Sequence, residues 1–259
     1  MQFGKDIFMF YAILLCTVAS LATGVGGLIV AVWPHISQRT LSVFQGFAAG
    51  VMITVSFVNM LPNSFADFSQ NTDNIKAVAA VASLFALGWL LSLLIEQIAV
   101  PGIEDEDTGK SAIRKMCVIT TAVIVLHNLP EGMLTSFSGF SDRQLGLRMA
   151  VAVALHNIPE GIAVASAVVC LTSSKIKAVA HSFAAGMAEL AGGVSALVLL
   201  HGFITPHMLN CVLAVISGVM VQVSLCQLIP NGAKMHSLQS VVWGTITGSA
   251  TISLGILMI

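Results

Sequence analysis

Two short segments of this sequence carry the residues with the most chemistry: HNLPEGM at 127–133 and HNIPEGI at 156–162. Each sets a histidine, an asparagine and a glutamate at the spacing i, i+1, i+4. On a helix turning 100° per residue, Glu131 lies about 40° round from His127 and about 60° from Asn128 on the other side, one turn further along the axis. Its carboxylate can therefore bridge whatever the imidazole and the amide each reach. His156, Asn157 and Glu160 repeat the pattern. Two such helices facing one another would gather imidazole nitrogens, amide oxygens and bridging carboxylates in one small volume, which suits a pair of divalent cations. That donor set favours Zn²⁺, Fe²⁺, Mn²⁺ or Co²⁺ over the thiolate sites of Cu(I) or the all-oxygen sites of Ca²⁺ and Mg²⁺.

The elements that must position these groups are membrane helices. Of 259 residues, 56% are hydrophobic and only 9% charged, far from the roughly 25% charged residues of a soluble domain. With eleven Lys+Arg against twelve Asp+Glu, the net charge is -1; no basic face is available for nucleic acid, which is excluded as a partner. Five cysteines stand singly in apolar runs, without the paired spacing of a thiolate metal site or a disulfide framework. A crossing needs about 20 mostly apolar residues. Eight such runs are expected, at 7–33, 40–62, 75–100, 113–139, 145–171, 176–201, 206–231 and 238–259. The reading is an all-α integral membrane protein, one polytopic domain over 1–259, with both termini outside the cytoplasm. That orientation puts seven Lys/Arg on the inner side (Arg39, Lys110, Arg114, Lys115, Lys175, Lys177, Lys234) and four on the outer (Lys5, Lys76, Arg143, Arg148).

The two motifs then fall near the middle of the fourth and fifth runs. Only Glu131, Glu160 and Glu189 among the acidic residues lie near span centres. At about 2.5–3.5 kcal/mol for each ionisable group at that depth, something must compensate them. A single His or Glu in a helix bundle is commonly just an interhelical hydrogen-bonding group; two copies of one motif on adjacent spans favour a functional site. Pro130 and Pro159 also leave the carbonyls of Leu126 and Leu155 without their helical donors, and broken backbone at membrane depth belongs in buried or wet surroundings.

An internal repeat frames this central pair. Residues 21–28 (LATGVGGL) match 190–197 (LAGGVSAL), and 50–63 (GVMITVSFVNMLPN) match 218–231 (GVMVQVSLCQLIPN), with displacements of 169 and 168 residues. The repeat also argues against reading the first run as a cleaved signal peptide. Runs 1–2 correspond to runs 6–7, and five crossings separate the members of each pair, so equivalent segments traverse in opposite directions. This 3+2+3 arrangement comprises a first repeat (1–100), an acidic cytoplasmic loop (101–112), a central pair (113–171) and an inverted second repeat (172–259), a pattern found in transporters with midplane sites.

At these residues the sequence resembles the ZIP (Zrt/Irt-like) divalent metal-ion transporter family, and most of all its prokaryotic-type GufA/ZupT-like branch. The resemblance rests on the eight spans, the GFAAGVM stretch at 46–52, the paired HNxPEG motifs and a sixth-run glutamate followed by glycines. It implies a binuclear site with one metal on His127, Glu131, His156, Glu160 and additionally Met52. The second metal would sit on Asn128, Glu131, Asn157, Glu160 and Glu189. It implies transport of Zn²⁺, and of Fe²⁺, Mn²⁺, Co²⁺ or Cd²⁺, toward the cytoplasm by alternating access of elevator type, in a homodimer in the cell membrane, without a prosthetic group. Two departures matter, the first from the branch and the second from many eukaryotic relatives. The sixth-run motif reads AELAGG, lacking the proline that usually follows its glutamate, and the 101–115 loop has no His-rich segment. His181, two turns before Glu189, is read as a hydrogen-bonding residue, and His35, His201, His207 and His236 near span ends are assigned no role. The rival class is an intramembrane metal-dependent hydrolase; neither an HExxH motif nor a separate nucleophile supports it. A channel-like conduit would use the same residues and differ only in kinetics.

Overall fold

The structure, a computed structural model, describes residues 2–33, 37–70, 72–99, 109–200 and 205–258. Most of the acidic loop at 101–112, together with His35 and His201, lies outside the described residues. Among the described residues the chain forms eight continuous helical rods: α1 (Gln2–Val32), α2 (Gln38–Ser69), α3 (Asn74–Ala99), α4 (Gly109–Ser141), α5 (Arg143–Thr172), α6 (175–200), α7 (Pro206–Met235) and α8 (Leu238–Met258). Side-chain oxygens fix several starts: Ser37, Ser174 and Thr205 accept from the amides of Thr40, Lys177 and Met208, the N-cap arrangement that satisfies an otherwise orphan donor. Between α2 and α3 the exposed Asp73 accepts the backbone N–H of Lys76 at 3.0 Å and pairs with its ammonium at 2.9 Å. The Lys76 side chain, then its backbone N–H, holds that carboxyl below the usual range.

Among the described residues, five stretches are long and apolar enough to cross a membrane: Ile7–Val32, Gln38–Ser69, Asn74–Leu94, Gly146–Thr172 and Pro206–Met235. The other rods, α4, α6 and α8, carry Ser and Thr hydroxyls among their apolar residues. Much of that polarity is satisfied within the helices. In α8, for instance, the hydroxyls of Thr245, Thr247 and Thr251 donate to carbonyls one turn back at 2.8–3.0 Å.

Two helices run further than the hydropathy pattern predicts. The run expected to stop at 62 continues to Ser69, and the run expected to stop at 231 continues to Met235. The reason lies at Pro62 and Pro230. Each proline lacks the N–H that would pair with the carbonyl four residues back, and in each case the helix widens into a five-residue π turn before it, Ser56–Met60 and Ser224–Leu228. The two turns are 168 residues apart, the displacement of the sequence repeat. Their first residues behave alike: Ser56 Oγ donates to the Met52 carbonyl at 2.8 Å, and Ser224 Oγ to the Met220 carbonyl at 2.7 Å.

The chain divides into two compact units that interleave along the sequence. The first comprises 1–36, 124–204 and 254–259, so it holds α1, α5 and α6 with the motif-bearing part of α4. Here α1 packs along both α5 and α6, and α5 against α6. The second comprises 37–123 and 205–253 and holds α2, α3, α7 and most of α8. In it α7 packs on α3 and α2, and the GFAAGVM stretch has a structural task. Side chains added at Gly46 or Gly50 would strike the carbonyls of Val241 or Thr245, so these glycines let α8 lie directly on α2.

Candidate metal centre

Within the first unit, α4 and α5 each carry their proline inside an unbroken helix, Pro130 and Pro159. The residue two places on from each proline is the glycine at which a neighbouring backbone comes closest. A Cβ on Gly132 would collide with the Glu189 carbonyl oxygen on α6, and one on Gly161 with the Thr23 carbonyl oxygen on α1. These contacts bring α6 to α4 and α1 to α5 at the level of the motifs.

The side chains so gathered are almost wholly withdrawn from solvent. His127, Asn128, Glu131, His156, Asn157, Glu160 and Glu189 are all between 0% and 2% exposed. Each motif's histidine meets the other motif's glutamate: His127 Nε2 donates to Glu160 Oε1 at 3.0 Å, and His156 Nε2 donates to Glu131 Oε2 at 3.2 Å. Ligand atoms of His127, Glu131 and Glu160 all lie within 4.8 Å of one another, a grouping able to hold a metal ion. On its other side His156 Nδ1 donates to the Ala152 carbonyl at 3.0 Å, the outer hydrogen bond that orients an imidazole whose second nitrogen faces a metal.

Asparagine orientation follows the same logic. Asn128 Nδ2 donates to the Ala185 carbonyl at 3.1 Å, and Asn157 Nδ2 donates to the Ala19 carbonyl at 2.9 Å and to Glu189 Oε2 at 2.5 Å. Both amide nitrogens are consumed by α6 or α1, leaving the amide oxygens as the free ends. Glu189 is aimed without the missing proline: α6 runs as regular helix from Lys175 to Ser195 and Asn157 grips the carboxylate directly.

The sum is a set of buried acceptors. Glu131 Oε1, Glu160 Oε2, Glu189 Oε1, Asn128 Oδ1 and Asn157 Oδ1 accept no hydrogen bond from the protein. Leaving a buried acceptor unsatisfied costs about 1–3 kcal/mol, more when it is charged. Water could meet one or two of them; oxygens that are all acceptors, beside two imidazoles, are the surroundings of a cation.

Seven of the sequence-predicted residues are thus brought together within one unit. His127, Asn128, Glu131, His156, Asn157, Glu160 and Glu189 share the first unit, whereas Met52 lies fully buried on α2 in the second. His181 is exposed, and its Nδ1 donates to the Lys177 carbonyl at 2.8 Å, as the hydrogen-bonding reading has it. What the sequence did not disclose are the backbone carbonyls of Ala19, Ala152 and Ala185, which orient the ligating side chains and have no side-chain signature.

Comparison with known proteins places this arrangement in context. A family model described as ZIP Zinc transporter matches residues 6–110 and 102–259. The chain is 36% identical over 261 residues to "Zinc transporter ZupT" of Chlorobium luteolum, covering 96% of this chain and 97% of that protein. Proteins of the same description from Corynebacterium glutamicum (34% over 262 residues, 96% and 99% covered) and Streptococcus mutans (32% over 258 residues, 96% and 98% covered) are similar along their whole lengths.

Proposed function

The chain belongs to the ZIP zinc transporter family, and from that premise we propose that it carries divalent transition-metal ions toward the cytoplasm through a binuclear midplane site, by alternating access of elevator type. Like its relatives it is an integral membrane transporter of divalent metal and not an enzyme. Zn²⁺ is the leading cargo, with Fe²⁺, Mn²⁺, Co²⁺ and Cd²⁺ compatible with the same donors. The metal is substrate, and no prosthetic group is required.

The observation that carries this reading is the set of five buried acceptor oxygens on α4, α5 and α6. In the proposed site one ion takes His127, Glu131, His156 and Glu160, and the other Asn128, Glu131, Asn157, Glu160 and Glu189, with the two bridging glutamates neutralising both. Met52 enters only as the further ligand implied by family likeness. The division of the chain supports the elevator, because every other proposed ligand belongs to a single compact unit. In this reading 1–100 and 172–259 are the inverted halves, and 113–171 the ligand-bearing pair. The excess of Lys and Arg in alternate loops supports both termini outside, and we place the protein in the cell membrane as a homodimer.

Radioactive zinc uptake into vesicles reconstituted with the purified chain tests the function. Saturable uptake, competed by unlabelled Zn²⁺, is expected. Metal-dependent hydrolysis without flux would instead support the hydrolase, and flux that rises linearly without saturating would mark a conduit.

A further inference from the structure

A second group of metal-type side chains lies in the other unit, where the end of α2 meets the start of α7. Asp67 Oδ2 accepts from His207 Nδ1 at 2.5 Å, and His207 Nε2 faces Cys211 Sγ at 3.7 Å. The helix ends are held in register by Ser64 Oγ, which donates to the Asn210 carbonyl at 2.7 Å. The Phe68 ring stands edge-on to the imidazole with centroids 4.9 Å apart. The His207 ring plane is therefore fixed from two sides, while 52% of its side chain remains exposed and Cys211 is half-buried.

We propose that His207 and Cys211 form a two-ligand site for a soft divalent transition-metal ion, with Asp67 as the carboxylate that orients the imidazole. Three observations support it. His207 and Cys211 are one helical turn apart on α7, so both project from one face. Zinc bonds of about 2.1 Å to nitrogen and 2.3 Å to sulfur at a tetrahedral angle place the two donors about 3.6 Å apart, and the pair stands at 3.7 Å. Finally, a carboxylate on the far ring nitrogen is the usual outer partner of a metal-bound histidine. Without metal the Cys211 thiol donates to His207 Nε2 across the same 3.7 Å, and a metal ion bound by both would displace that proton. Thiolate with imidazole selects Zn²⁺, Cd²⁺ or Co²⁺ over Mg²⁺ and Ca²⁺, and the exposed side of the pair leaves room for water as the remaining ligands. The site stands independently of the transport reading, since none of its residues belongs to the midplane cluster.

Cobalt(II) alone, titrated into the purified full-length chain, tests this. A near-ultraviolet thiolate-to-cobalt charge-transfer band is expected. It should vanish in Cys211→Ser and in His207→Ala, and require about 10–100-fold more cobalt in Asp67→Asn, the usual loss on removing an outer-shell partner. In the unmutated protein, cobalt should also slow maleimide labelling of Cys211 at least tenfold. No band in the unmutated chain, a band undiminished by Cys211→Ser, or a labelling rate indifferent to cobalt would overturn the proposal and leave only an interhelical hydrogen bond.

Discussion

Glu160→Ala is expected to bring zinc uptake by the reconstituted protein down to the leak of protein-free vesicles. The carboxylate does two things that alanine cannot. Its Oε1 accepts from His127 Nε2 at 3.0 Å and its Oε2 is one of the buried acceptors turned toward the proposed cations. A dication at membrane depth needs anionic charge beside it, and removing one bridging glutamate strips charge from both proposed ions together. Because truncating one member of a buried polar pair also destabilises a fold by about 3–5 kcal/mol, Glu160→Gln is the more informative companion. It keeps the shape and one acceptor oxygen, so the protein should remain folded and monodisperse while uptake is lost. Normal saturable uptake by a folded Glu160→Gln protein would show that the carboxylate charge is not needed.

Gly161→Ala is expected to lower thermal stability, with a cost of about 1–3 kcal/mol from overpacking, read as a fall in the unfolding temperature of the detergent-solubilised protein. The sign matters. Glycine within a helix is less favourable than alanine by about 0.8–1.0 kcal/mol, so a helix without a close neighbour would be stabilised by this change. Here the new methyl meets the Thr23 carbonyl oxygen, backbone that cannot swing aside. The consequence reaches the site, because α1 also supplies the Ala19 carbonyl that holds Asn157. Gly255, whose added methyl would meet only the end of the Leu155 side chain at 3.1 Å, is the contrasting position. An unfolding temperature unchanged or raised in Gly161→Ala would mean that α1 and α5 are not in backbone contact.

Much of this was legible in the residues. The HNxPEG spacing put each carboxylate between its imidazole and amide, and the structure adds that the pairing is crossed, His127 with Glu160 and His156 with Glu131. Periodicity and hydropathy located the eight rods but ended two of them early, because a proline after an apolar run reads as a terminus. The π turns that carry α2 and α7 past Pro62 and Pro230 are visible only in the backbone. The grouping of α1 with α4, α5 and α6 was beyond a linear reading, since it depends on contacts between segments more than a hundred residues apart. For His207 a position near a span end suggested nothing; its neighbour Asp67 lies 140 residues away in sequence.

The account rests on cations answering the buried acceptors between α4 and α5. Crystals of the full chain soaked in cadmium address this directly through anomalous scattering. Two peaks are expected, one among His127, Glu131, His156 and Glu160, and one bounded by Asn128, Asn157 and Glu189, with the glutamates shared. Well-ordered side chains with no anomalous peak between those helices after the cadmium soak would contradict it.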